Sequence, residues 1–340
     1  MHNKLVELHP HTTEGVPSLH LSYWIALLTI MLCVVGVAIY FEAGRMIMGT
    51  PLEGLMSYQL TSYSNLLLTA STVLYIAHLW FTSSTVGKWA TGMAVLGVVG
   101  VLGALLTRWF EVHQIPRAAQ LAASSLYEVT ILFSAVTVMI YLAMEFTYRN
   151  RSAGAFVMPI VVCAVGFEIW LVSNGQASPH VLVPALKGYW MNAHILANFI
   201  GYGAFAVAAG MGGMYLLRHR AESVGRTAAF PLRVLPGLCQ IDRLIFRAIA
   251  IGFPVFTLAM VLGATWAHEV WGRYWSWEPK ETWTLIVWIT YAAFLVLRLT
   301  NAWAGVRMAW WAILGFVVAL FSFIGVNLLH SGLHAFGNLG

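Results

Sequence analysis

Charged side chains are the scarcest class in this sequence, at 9% of 340 residues against roughly 25% in an ordinary soluble domain. With 60% hydrophobic residues and a mean hydropathy of +0.77, the 18 Lys+Arg and 13 Asp+Glu cannot cover a water-exposed surface of this size. A soluble enzyme, a nucleic-acid binder and a disordered chain are therefore excluded. Cysteine is nearly absent too: Cys33, Cys163 and Cys239 lie far apart with no CxxC pair, which leaves no disulfide framework and no thiolate metal site. The opening 22 residues carry Glu7, Glu14 and only Lys4 as a cation, so they lack the basic start and short apolar core of a secretory signal. No repeat period or low-complexity tract is present.

Long apolar runs are what the chain has instead. A helix needs about 20 largely apolar residues to cross the ~30 Å hydrocarbon layer. Nine runs fit: Tyr23 to Phe41, Leu66 to Phe81, Trp89 to Leu106, Leu126 to Met144, Phe156 to Val172, Met191 to Leu217, Ala248 to Trp266, Trp283 to Leu299 and Trp310 to Leu329. The expected architecture is all-α, a polytopic membrane helix bundle of about nine transmembrane helices. It comprises a cytoplasmic tail (1–22) and a single membrane domain (23–340). Cationic loops stay on the cytoplasmic side. With the N-terminus inside, 12 of the 18 cations fall inside and 6, Arg45, Arg108, Arg117, Lys187, Arg273 and Lys280, fall outside, which sets N-inside and C-outside. The basic connection Arg218 to Arg247 places Ile241, Leu244 and Ile245 at helical spacing and reads as an interfacial helix.

The loop at 266–283, WAHEVWGRYWSWEPKETW, holds five of the 15 tryptophans. An interfacial aromatic belt accounts for Trp266 and Trp283. It does not account for Trp271, Tyr274, Trp275 and Trp277, which sit in the connection itself, where water-facing indoles are a solubility liability. They call for a flat apolar partner: the membrane, the chain's own helices or a planar ligand. Arg273 and Lys280 add cations. A planar hydrophobe bearing two carboxylates, as haem is, would use both features. Pro279 suits the first position of the next helix, with Glu278 and Glu281 near its positive end.

Of 12 histidines, His2, His9, His11 and His20 lie in the tail. His78 falls inside the second run, where an ionisable side chain invites a functional reading; a neutral, hydrogen-bonded structural role fits equally. His194 opens the sixth helix and His334 follows the ninth, so the topology brings both to the outer face with the tryptophan loop. Two neutral imidazoles at one place can hold a haem iron from both sides. His330, one turn before His334, and His268, inside the loop, are substitutes.

WGRYWSWEPKETW, Trp271 to Trp283, resembles the tryptophan-rich signature of cytochrome c assembly membrane proteins, the haem-handling superfamily of CcsA (ResC), CcmC and CcmF, and its PKETW ending is similar to the CcsA branch. RWFE at Arg108, SSLYEVTILF from Ser124, YRNRSAGAFVMP from Tyr148, HILANFIGYGAFA from His194, IDRLIFRAIAIGFP from Ile241 and GLHAFG from Gly332 extend the likeness over roughly residues 105–340. The resemblance implies a subunit of a cytochrome c synthase (haem lyase) in the bacterial inner membrane. It would present haem b at the periplasmic face for attachment to the CxxCH motif of an apocytochrome c, beside a ResB/CcsB-like partner. On the same basis His194 and His334 become axial ligands and Trp271, Tyr274, Trp275, Trp277 and Trp283 the haem shelf. Two positions depart from the family: Glu278 stands where Asp is usual, and Val296 stands where an in-membrane histidine is usual. Alternative functions are a b-type membrane electron carrier, a haem exporter without synthase activity, and a transporter gated by the aromatic loop. The last wants broken helices and midplane charges, neither of which the apolar runs show.

The cation distribution gives a direct test. A cysteine introduced at position 273 should react with an impermeant reagent in intact cells; reaction only after lysis would reverse the topology.

Overall fold

A computed structural model describes residues 56–113, 125–177, 189–225 and 234–329. The run Tyr23 to Phe41, the tail before it, His330 and His334 lie outside the described residues. Those described form α1 (Met56–Phe81), α2 (Ser84–His113), α3 (Leu126–Tyr148), α4 (Gly154–Ser173), α5 (Tyr189–Ser223), α6 (Leu238–Trp271), α7 (Pro279–Leu299) and α8 (Val306–Leu320). The last continues through a π turn, Phe321–Gly325, into Val326–Leu329. All eight are long and apolar enough to cross a membrane, and they coincide with the second to ninth apolar runs. The protein is a multi-pass helical membrane bundle, the architecture that satisfies every backbone group within its own segment.

Helix α5 lies at the centre, packed on α3, α4, α6 and α8, while α1 pairs with α2 and α4. Its partnership with α6 is the most extensive among the described residues and rests on small residues. A Cβ on Gly252 would stand 2.6 Å from the Ala204 Cβ, and one on Gly201 would stand 2.8 Å from the Phe256 Cβ. Removing side chains here lets two backbones approach to van der Waals contact, which is what holds helices together where lipid supplies no hydrophobic drive. Helix α7 is the outlying span, burying only Val287, Tyr291 and Phe294. It is tied on by Trp288 Nε1 donating to Thr257 Oγ1 at 2.9 Å, by Trp311 Nε1 donating to the Thr290 carbonyl at 3.0 Å, and by the Arg298–Asp242 ion pair.

Two expectations are corrected. Ile241, Leu244 and Ile245 do not form a separate interfacial helix; they are buried first turns of α6, which runs unbroken for 34 residues, about 51 Å at the α-helical rise. Ionisable side chains do occur inside the spans, since Glu145 on α3 and Glu168 on α4 are buried. A single acid disappears in a run otherwise apolar, whereas interhelical partners make it affordable in the fold. Glu145 accepts from Tyr75 and Tyr141 hydroxyls, each at 2.6 Å, and pairs with Arg151 at 3.3 Å.

Overfilling the α5–α6 seam should be costly. Gly252→Leu is expected to lower stability by about 1–3 kcal/mol, read as the denaturant midpoint in detergent. Gly166→Leu, at a position where a Cβ meets nothing within 4 Å, should leave the midpoint nearly unchanged.

Candidate functional site

The start of α5, the end of α6, the aromatic loop, the start of α7 and the π turn of α8 surround one cleft. Its cavity volume is about 140 Å³, and it opens to solvent. From α5 it is lined by Met191, His194, Ile195, Asn198, Phe199 and Tyr202, a stripe at i, i+3, i+4, i+7 that runs from mouth to floor. Phe323 closes the floor, with its ring centroid 5.0 Å from Phe199 and 6.0 Å from Tyr202.

His194 is held by the α5–α6 seam. Its Nδ1 lies 2.7 Å from the Ala259 carbonyl oxygen, and since a carbonyl only accepts, Nδ1 carries the proton and Nε2 the lone pair. The ring fits because residue 263 is glycine: a Cβ there would stand 2.7 Å from His194 Nδ1. A histidine whose tautomer and plane are fixed through its second nitrogen is prepared as a metal ligand.

The loop reverses sharply between α6 and α7. Gly272 takes the left-handed conformation (φ 72°) and caps α6 through its N–H to the His268 carbonyl. Trp277 is also left-handed (φ 59°), a conformation costing a non-glycine residue roughly 1–2 kcal/mol. Glu281 holds that strain by accepting from the Ser276 N–H at 2.7 Å, the Ser276 hydroxyl at 3.1 Å and the Glu278 N–H at 3.3 Å. With Glu278 at the cap and Pro279 at the first helical position, α7 thus starts cleanly.

Of the residues singled out in the sequence, His194, Tyr274, Trp275 and Lys280 line the cleft. Trp266 and Glu281 line it too, whereas the other singled-out loop residues do not. Trp271 packs edge-on against Trp266 at 4.9 Å, Trp283 sits against Phe321 at 4.4 Å, and Arg273 is exposed. Trp277 meets Trp275 edge-on at 5.7 Å and is 70% exposed. His268 stacks on Tyr274 at 4.2 Å. His78 lies away from the cleft, its Nδ1 2.9 Å from the Ser83 carbonyl across the α1–α2 turn, in keeping with a structural role. Val296 is 60% exposed on the outward side of α7.

Sequence reasoning missed Asn198, Asn327 and Ser322. Asn198 stands four residues after His194, so it shares the histidine's helix face and was detectable by spacing. Asn327 and Ser322 reach the cleft through the π turn, which carries no comparable signature. Asn198 Oδ1, Asn327 Oδ1 and Trp275 Nε1 are buried without a hydrogen-bond partner. Each such atom costs about 1–3 kcal/mol, and three of them around one cleft mark a place where a ligand or water completes the bonding.

Residues 123–334 match the family described as cytochrome C assembly protein. The chain belongs to that family. It is 30% identical to a protein named cytochrome c biogenesis protein CcsA from Gloeobacter violaceus, over 80% of this chain and 93% of the relative. Proteins of the same name from Guillardia theta (33% identical, 74% and 85% covered) and Porphyra purpurea (31%, 80% and 94%) are similar too. The matched stretch spans α3 to α8, so it contains the cleft, the loop and His334.

Glu281→Ala should release the loop without unfolding the bundle. Trypsin cleavage after Arg273 is expected to accelerate by roughly tenfold or more, the weight of one or two lost hydrogen bonds, while the thermal midpoint in detergent moves little. Unchanged cleavage would show that the loop is held by other contacts.

Proposed function

We propose that this chain works in cytochrome c biogenesis by holding haem in the α5–α8 cleft and presenting it for covalent attachment to an apocytochrome c. The observation that carries the reading is His194 at the wall of an aromatic cleft, with its Nδ1 committed to Ala259, which makes Nε2 the basic nitrogen of the ring. The donor set suits an iron porphyrin. Tyr274 and Trp275 supply flat apolar faces, and the Trp275 N–H and the Lys280 ammonium suit its carboxylates. His334, or His330 one turn earlier, is the second axial ligand, giving low-spin haem b.

In this scheme the protein's contribution is positioning. His194 would hold the iron, Tyr274 and Trp275 would pack on the porphyrin, and the haem would supply the vinyl groups that react. Each thiol of CxxCH then adds across one vinyl, sulfur to carbon and hydrogen to its neighbour, while the histidine of the motif replaces a ligand from this chain. Support for a separate membrane partner of CcsB type comes from the fold, because among the described residues no domain outside the bundle exists to seat an apocytochrome. We assign the cleft to the outer face on the cation distribution, which makes residues 1–22 a cytoplasmic tail and 23–340 one membrane domain.

The test is the visible spectrum of the purified chain and its yield of holocytochrome c. His194→Ala should lose low-spin haem and maturation, with added imidazole restoring part of both. Gly263→Val, which displaces the ring from Ala259, should lower haem occupancy by about 10–100-fold. A low-spin spectrum that survives His194→Ala would overturn the assignment, and damage from His330→Ala with His334→Ala silent would move the second ligand by one turn. Val296 leaves the outward side of α7 without a ligand, so about one haem per chain is expected; a second haem lost in His78→Ala would contradict that count.

A further inference from the structure

Away from the cleft, α3 carries a polar stripe along its buried face: Tyr127, Thr130, Ser134, Thr137, Tyr141 and Glu145 follow one another at helical spacing and are all buried. Three buried acids meet this stripe, and two have cations. Glu128 accepts from Arg108 Nε at 3.0 Å and also caps α3 by accepting from the Ser125 N–H at 3.1 Å, while Arg108 donates on to the Ala177 carbonyl at 2.6 Å. Glu145 has Arg151. These are fixed ion pairs.

Glu168 differs. Its side chain is 1% exposed, and its partners are two neutral groups: Asn65 Nδ2 on α1, donating at 2.7 Å, and Ser134 Oγ on α3, at 3.0 Å. Among the described residues no cation from α1, α3 or α5 faces it. A permanent carboxylate here would be costly, because neutral donors do not replace a counter-charge in a medium of low polarity. Ser134 resolves the difficulty. Its hydroxyl donates to an ionised carboxylate and, turned, accepts from a protonated one, while Asn65 donates to the other oxygen in either state. The seat therefore accommodates both protonation states without rearrangement of the helices.

Polar groups continue at the Arg108 end. Ser57, itself buried, donates its N–H to the half-buried Glu111 at 3.2 Å. Beneath lies a cavity of about 10 Å³, room for about one water, lined by Ser57, Thr61, Arg108, Tyr127 and Glu128. Thr61 and Tyr127 both border this cavity, and Tyr127 lies within electrostatic reach of Glu168. We propose that Glu168 is a proton-binding site inside the membrane domain, loaded and emptied from the Arg108 end through Thr61, Tyr127 and the water-sized cavity. It takes a hydrogen ion and stands independently of the haem reading.

Infrared difference spectroscopy on the purified full chain tests this. A carboxylic-acid carbonyl band should be present at neutral pH and absent in Glu168→Gln. In deuterated buffer that band should shift as the proton exchanges, and Tyr127→Phe should slow the shift by about tenfold, one hydrogen bond's weight on a rate, while keeping the band. If Glu168→Gln does not fold, Ser134→Ala serves instead, since removing the hydroxyl must move the band's frequency. No band dependent on Glu168 or Ser134 would overturn the site, and wild-type exchange in Tyr127→Phe would overturn the route.

Discussion

Backbone contact between α5 and α6 is the constraint on which the rest of the molecule depends. Lipid gives two apolar helices no reason to associate, so their attraction comes from dense packing, and dense packing needs positions with little or no side chain. Gly201, Ala204 and Gly252 provide this through the core, and Gly263 continues the seam to the cleft, where the space is taken by an imidazole. The feature that joins the helices thus also sets how far His194 stands from Ala259, and so which ring nitrogen bears the proton. Stability and chemistry share one interface here.

The two halves of the bundle use polarity in opposite ways. In α1 to α4 the buried acids and most buried hydroxyls, Thr137 excepted, are satisfied by neighbouring side chains and carbonyls. In α5 to α8 the polar atoms are left incomplete around an opening floored by Phe199, Tyr202 and Phe323. A satisfied network resists change, whereas incomplete bonding invites an occupant. The same chain therefore keeps a rigid flank beside a receptive one.

Much of this could be read from residue order alone. Eight helices follow their apolar runs because twenty apolar residues have few other fates, and the gathering of His194 with the loop follows from alternating helix direction. What order could not say was which indoles turn inward. That depends on two left-handed residues, Gly272 and Trp277, and on the grip of Glu281, so that Trp275 faces the cleft while Trp271 and Trp283 brace neighbouring rings. Glu168 and Asn327 escaped for a related reason: each is one polar residue in an apolar stretch, and its meaning lies in partners about 100 positions away or in a local change of helix pitch.

That change of pitch carries its own consequence. Across Phe321–Gly325 the Val326 N–H bonds to the carbonyl five residues back, so one extra residue is absorbed without lengthening the helix by a normal step. Each residue of an ordinary helix advances about 100° around the axis, and everything after the π turn is rotated by about that much relative to a regular count. A helical wheel drawn straight through α8 would put Asn327 on the wrong side. Any alignment that places gaps by spacing alone would misassign which late residues of a related chain face the cleft.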